Sequence, residues 1–265
     1  MGYTNRKINE DSWLIQCDSH VSMYLIEGTQ KAMLIDAGME KDNLLEYCRE
    51  LTDKPIFCVL THGHFDHIGR CGEFAEVYLD FQDKELYVQH STGPFLKQID
   101  PCCKAAEELL EMRKEFDLGD KKIVTVSLPG HTPGSVIFCD PDGKTVYLGD
   151  AIGSGCGVLM TAGLGSLPLD EYAIGLDHAI DELENLGIDD DWKFYGGHYG
   201  QHHASRVSDN NLPCLQMMKD MRVLCEQMEA GTANVQESVK ESPFGKAKET
   251  IGIYGCAELQ LLTDL

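Results

Sequence analysis

With 265 residues, 43% of them hydrophobic and 25% charged, the chain has the composition of an ordinary globular protein of one large or two small domains. Twenty-two Lys and Arg against 44 Asp and Glu leave a formal net charge of −22, which repels phosphate backbones and anionic lipid. Nucleic acid and membrane surfaces are therefore not expected as partners. No stretch approaches the roughly 18 apolar residues of a membrane-spanning helix, and Met1 to Asp11 lack the apolar core of a signal peptide, so a cytoplasmic location is expected.

The eleven cysteines are odd in number and include no Cys-x-x-Cys pair, which argues against both a disulfide framework and a zinc knuckle. Reduced, buried thiols are expected, with Cys102-Cys103 the pair most open to oxidation.

In chain order, Ser12–Cys17, Val21–Glu27 and Lys31–Asp36 read as short strands separated by polar turns. Asp42–Leu51 has the apolar spacing of a helix, stopped by Pro55, and Ile56–Leu60 is a buried strand. A strand–helix pair follows at Glu76–Leu79 and Lys84–His90. Pro101–Phe116 reads as a helix, with Pro101 in its first turn and Gly119 just past its end. Lys122–Ser127, Ser135–Cys139 and Thr145–Leu148 are strands, Leu169–Leu186 is a helix closed by Gly187, and Trp192–Tyr195 is a strand. Ser205–Ala230 is mostly helical, and the last thirty residues read as a short helix and two closing strands, Glu249–Tyr254 and Ala257–Leu262. Alternating strands and helices with hairpin clusters predict one α/β domain, a four-layer αββα sandwich of two mixed β-sheets, with a mainly helical C-terminal segment from about 205 to 265.

The chemistry concentrates directly after the Ile56–Leu60 strand, in Thr61-His62-Gly63-His64-Phe65-Asp66-His67. Imidazoles at i and i+2 on a rigid strand end can converge on one ion, and the Asp-His that follows turns back toward a second. His131 in Pro129-Gly130-His131-Thr132-Pro133-Gly134-Ser135, Asp150 after Gly149 and His198 after Gly196-Gly197 occupy similar strand-end loops. Glycines beside these groups allow close backbone approach.

This order, H-x-H-x-D-H, then P-G-H-T-x-G-S, then G-D, then G-G-H, resembles the metallo-β-lactamase-fold hydrolases, in their glyoxalase II-like or lactonase-like branch. The resemblance implies that His62, His64 and His131 hold a first metal, that Asp66, His67 and His198 hold a second, and that Asp150 bridges both beside a hydroxide. Two zinc ions per chain are expected, with iron or manganese as alternatives. Asp66 and Tyr199 are the expected catalytic residues, Asp66 as a proton shuttle and Tyr199 as a phenol donor to the developing oxyanion.

The β-lactamases of this fold usually carry Cys or Ser where Asp150 stands, which argues against antibiotic hydrolysis. A small acyl substrate is expected: a thioester, lactone or ester. A persulfide dioxygenase with one iron is the alternative, and the charge of −22 makes a phosphodiesterase or nuclease a poorer one. Arg206, Lys219, Arg222 and Lys246 show no spacing that identifies glutathione. His64 disfavours the diiron flavoproteins, which carry Glu there. His20, His202 and His203 are candidate pocket residues, whereas His90 and His178 read as ordinary helix residues. Ala151–Gly157 lacks the Lys and following helix of a phosphate loop and reads as a pocket wall facing Gln201–Ala204. Met160, Leu164, Leu167, Tyr172 and Tyr199 are expected pocket lining. A homodimer is compatible with the sequence.

Overall fold

The structure, a computed structural model, describes residues 2–18, 20–92, 103–153, 157–189, 191–198, 214–242 and 245–264. The chain divides into two compact units, Met1–Thr125 with Phe138–Thr145, and Val126–Ile137 with Val146–Leu265.

The first unit carries a seven-stranded sheet, β1 (Thr4–Lys7), β2 (Ser12–Gln16), β3 (Ser22–Glu27), β4 (Ala32–Ile35), β5 (Ile56–Val59), β6 (Val77–Leu79) and β7 (Leu110–Glu111), in that order. β1 to β4 pair antiparallel and β4 to β7 parallel. Parallel neighbours need a crossover, and the Leu44–Leu51 helix supplies it between β4 and β5. Asn43 caps that helix, accepting from the Glu46 amide at 2.9 Å, while the Glu73 carboxylate accepts from the Leu44 and Leu45 amides at 2.7 and 3.1 Å. Replacing Asn43 by Ala should cost about 1 kcal/mol, readable as a lower denaturant midpoint at unchanged slope. Met23, Leu25, Leu34, Leu44, Cys48, Cys58, Leu60 and Ile68 form the core of this unit, which fixes the end of β5 where the histidine-rich loop begins.

A five-stranded sheet runs in the order β13 (Lys193–Gly196), β11 (Thr145–Gly149), β10 (Val136–Asp140), β9 (Lys122–Ser127), β8 (Glu115–Asp117). Every residue of β10 and β11 is buried, as their continuous apolar runs require. In the second unit, a four-stranded sheet is ordered β12 (Val158–Thr161), β16 (Ala257–Asp264), β15 (Gly245–Tyr254), β14 (Val235–Ser242). Here the Leu169–Asn185 and Leu215–Glu229 helices pack on each other, and Tyr172, Leu176, Leu183, Met218, Met221 and Leu224 on them are buried. No helix among the described residues is long and apolar enough to cross a membrane.

The expected α/β class with mixed sheets is present, together with a third sheet the sequence did not announce. Two elements differ. The helix expected over Pro101–Phe116 is absent from its described part, where short strands form at Leu110–Glu111 and Glu115–Asp117; Pro101 and Cys102 lie outside the described residues. The backbone there bonds to distant partners instead of to itself: Lys104 N donates to Gly69 O at 2.7 Å and Met112 N to Leu79 O at 3.0 Å. Pairing with β6 thus overrides a helical apolar spacing whose Ala105, Ala106 and Leu109 still pack on the core. Among its described residues, the segment expected to be mainly helical is helical over Leu215–Glu229 alone, and the short helix expected in the last thirty residues is the strand Val235–Ser242. It pairs antiparallel with β15, from Val235 opposite Gly252 to Ser242 opposite Gly245.

Candidate metal centre

In the first unit the end of β5 leads through Leu60 and Thr61 into His62, Gly63 and His64, and then into the short Phe65–Ile68 helix. His62, His64 and His67 are at most 5% exposed, whereas Asp66 is half-buried. The rings of His62 and His64 lie 4.6 Å apart, and those of His62 and His67 4.3 Å apart. Ligand atoms of His62 and His64, of His62 and His67, and of Asp66 and His67 each come within 4.8 Å.

What orients these rings is Asp36, which directly follows β4 with a left-handed backbone, φ +61°. Its carboxylate accepts from the Thr61 amide at 2.8 Å and from the Thr61 hydroxyl at 2.9 Å, and contacts His67 Nδ1 at 2.8 Å. Thr61 Oγ1 in turn stands 3.0 Å from His62 Nδ1. Because the hydroxyl gives its proton to Asp36, the oxygen accepts from His62 Nδ1–H. Both histidines then carry their proton on Nδ1 and present Nε2 as a lone pair, the form a metal ligand needs. Asp83 fixes the turn between them, accepting from the Gly63 amide at 2.8 Å. His90, buried beside His64 with ring centroids 5.3 Å apart, is pushed below the usual imidazole pKa by burial, with the Asp66 carboxylate opposing.

In the second unit His131 makes the matching arrangement. Its Nδ1 donates to Leu159 O at 2.8 Å, which directs Nε2 away from the strand. Ser166 holds the His131 carbonyl at 2.9 Å, and Thr132 and Ser135 lock the turn through their hydroxyls at 2.8 Å. Asp150 follows β11 and His198 follows β13. Asp150 Oδ2 lies 3.6 Å from His131 Nε2 and 3.2 Å from His198 Nε2, so one carboxylate oxygen serves two imidazoles. Gly197 permits this approach, since a Cβ there would meet Asp150 Oδ1 at 2.2 Å.

The structure thus gathers His62, His64, Asp66 and His67 in the first unit, and His131, Asp150 and His198 in the second. Imidazole Nε2 atoms with fixed tautomers, grouped with carboxylates, are a donor set that suits a divalent metal. Tyr199, His202, His203, Arg206 and Gln201–Ala204 lie outside the described residues, as do residues 154–156 of the expected wall. His20 is exposed, at φ +65°, in the loop before β3. Met160 and Leu167 line a cavity of about 460 Å³ with Leu169, Leu261 and Leu262, and Tyr172 is buried with its hydroxyl on Ala151 O at 2.6 Å. Asp36, Thr61 and Asp83 were not singled out from the sequence, and His90 was read there as an ordinary helix residue. Only Asp36, a carboxylate ending a strand just before Ala37-Gly38, carried a visible signal.

The metallo-β-lactamase superfamily model matches residues 18–198, more than half of the chain, and the chain belongs to that superfamily. It is 32% identical over 139 residues to the "Probable metallo-hydrolase YqgX" of Bacillus subtilis, covering 50% of this chain and 66% of that protein. The human "Acyl-coenzyme A thioesterase MBLAC2" is 23% identical over 77% of this chain and 84% of its own length. The "Hydroxyacylglutathione hydrolase" of Bdellovibrio bacteriovorus is 29% identical over 54% of this chain and 52% of its own. The chain therefore spans just under two thirds of the Bacillus protein and about half of the Bdellovibrio one. Among solved structures, the Pseudomonas aeruginosa metallo-β-lactamase FIM-1 superposes with a TM-score of 0.61 at 15% identity, covering 86% of this chain and 96% of that one. TTHA1623 in a di-iron-bound form superposes with a TM-score of 0.54 at 22% identity, covering 73% and 98%. These likenesses show the fold.

Proposed function

We propose that the chain is a metal-dependent hydrolase that cleaves a small acyl substrate, a thioester first and a lactone or simple ester second. The observation that carries it is the pair of His/Asp clusters whose histidines His62, His67 and His131 each have Nδ1 anchored and Nε2 presented. The superfamily supports a hydrolase, and relatives named thioesterase and hydroxyacylglutathione hydrolase support the acyl class. Asp150 in place of Cys or Ser stands against β-lactams.

In this proposal His62, His64 and His131 hold one zinc ion, Asp66, His67 and His198 a second, and Asp150 is shared. Bound ions of this kind lower the pKa of water to ~7 and stabilise negative charge on an acyl oxygen. The remaining work belongs to the chain. Asp66, half-buried at the start of its helix, accepts the proton released as water attacks and passes it to the leaving group. Asp36 and Thr61 keep His67 and His62 in one tautomer through turnover. Tyr199 donates its phenol to the acyl oxygen. The partner is a small molecule, the compartment the cytoplasm, and neither nucleic acid nor membrane is engaged.

Two measurements test this. Elemental analysis of protein from unsupplemented medium should give about two zinc per chain; mainly iron, with sulfite formed from a persulfide, would replace the hydrolase by a dioxygenase. A panel of S-lactoylglutathione, an acyl-coenzyme A, acyl-homoserine lactones, aryl esters, a phosphodiester and a cephalosporin should show turnover concentrated in the acyl compounds. Turnover confined to the phosphodiester would sink the acyl assignment.

A further inference from the structure

Behind the turn that carries His131, the second unit holds the cavity of about 460 Å³, and none of its described lining residues is a candidate metal ligand. β12 and β16 run parallel with Met160 opposite Leu261, so these two side chains share one face of the sheet and floor the cavity. Leu167 and Leu169, the latter opening the Leu169–Asn185 helix, close its side. Met160 and Leu169 are buried and Leu167, Leu261 and Leu262 half-buried, so strand, loop and helix all contribute apolar wall. Hydrogen bonds join this wall to the His131 turn. Ser166, which lines the cavity, donates its hydroxyl to His131 O at 2.9 Å and accepts from the Thr161 amide at 2.9 Å, and Leu167 N donates to Gly130 O at 2.8 Å. The mouth lies along Ala162 and Gly163, which are exposed; a Cβ on Gly163 would meet only Thr161 Oγ1, at 3.8 Å. Among the described lining residues one is charged: Glu229, exposed at the C-terminal end of the Leu215–Glu229 helix. A second cavity, of about 430 Å³, shares Leu169, Glu229 and Leu261 with the first but adds Glu237 and Thr250.

We propose that this cavity takes the uncharged alkyl tail of the acyl substrate and makes the chain selective for medium-length straight acyl groups, an inference that rests on the acyl-hydrolase proposal above. The lining chooses the ligand. Each methylene that leaves water for such walls strengthens binding by up to about fourfold. A carboxylate at the far end of the tail would lose hydration and meet the Glu229 charge, with no cation among the described lining residues to compensate it. The tail must therefore end in a methyl group. Thiol carriers such as glutathione and coenzyme A are charged along their length and do not suit these walls, so it is the acyl side of the scissile bond that enters. Glu237 and Thr250 make the second cavity more polar, and it marks where the apolar path ends and the favoured chain length is set.

The test is a series of straight-chain thioesters of one neutral thiol, from acetyl to dodecanoyl, given to the full chain. KM should fall by up to about fourfold per methylene and then level off as the cavity fills, with kcat little changed. Leu261→Trp, which fills the floor, should move that levelling to shorter chains and leave the acetyl thioester unaffected. An octanoyl thioester carrying a carboxylate at its far end should have a KM at least about tenfold above the plain octanoyl compound. Glu229→Lys alters only the rim, where a cation also suits the last turn of a helix, and should close that gap. A merely structural role for Glu229 would move both substrates alike. Calorimetry with octanamide, which is neither charged nor readily hydrolysed, reads the cavity independently of turnover: wild type should bind it and Leu261→Trp at least about tenfold more weakly. A KM indifferent to chain length, or equal octanamide binding by wild type and Leu261→Trp, would overturn the alkyl site and leave the hydrolase standing. Octanamide binding without turnover of any acyl compound would remove the hydrolase and leave a site for a neutral alkyl chain.

Discussion

Asp150→Asn is expected to reduce acyl hydrolysis by more than about 100-fold, beyond the 10- to 100-fold typical of groups that merely support a metal ligand, and to lower bound metal in the same preparation. The argument starts from charge. Asp150 Oδ2 stands between His131 Nε2 at 3.6 Å and His198 Nε2 at 3.2 Å, in a setting where the carboxylate is almost fully buried. Such a charge is retained only if a cation or charge-assisted hydrogen bonds compensate it. The amide has the same shape and removes the charge, so the loss reports electrostatics and not a cavity. Its neutral oxygen is a poor shared ligand, and its NH2 group would face imidazole nitrogens that must stay unprotonated. Thermal unfolding of metal-free wild type and variant should differ little, or favour the variant. Full activity with unchanged metal content would remove Asp150 from the centre, and with it the dinuclear assignment.

The candidate metal-binding residues stand out in the sequence because groups of this kind are local in it. His62, His64, Asp66 and His67 fall within six positions after one strand, and His131, Asp150 and His198 each follow a strand with glycine beside them. Strands with continuous apolar runs, such as β10 and β11, were legible for a related reason: burial on both faces leaves little else to read. What failed was structure decided by remote partners. Residues 103–116 have helical apolar spacing, yet β6 offers Leu79 O and a parallel ladder, and the chain takes the ladder. Val235–Ser242 is largely exposed, with Val239 63% accessible, so its strand state comes from pairing with β15 and leaves no burial pattern in the sequence. The groups that orient the candidate histidines were hidden likewise. Asp36 precedes His67 by 31 positions and Asp83 follows Gly63 by 20, separations that only the folded sheet brings within hydrogen-bond reach.

Asp36 carries the remaining prediction. Asp36→Asn should weaken metal binding and hydrolysis together by about 10- to 100-fold, although Asp36 is not itself a ligand in the proposed set. Asparagine tolerates the left-handed backbone at this position, φ +61°, so the loop need not rearrange. Its amide oxygen can still accept from the Thr61 amide, which now reaches the carboxylate at 2.8 Å. The NH2 group must then point at His67 Nδ1 and at the Thr61 hydroxyl. Facing a donor, His67 is driven to the tautomer with its proton on Nε2, and the nitrogen a metal would use is blocked. Thr61 loses its charged acceptor as well, which loosens the hold on His62 Nδ1. Zinc affinity measured by competition with a chromophoric chelator gives the first readout, and initial rates at saturating zinc the second. Excess metal should restore part of the rate if the defect is ligand orientation. Thr61→Val, which breaks only the His62 branch of the network, should lose less than Asp36→Asn. Wild-type zinc affinity in Asp36→Asn would show that the tautomer of His67 is held by something other than this carboxylate.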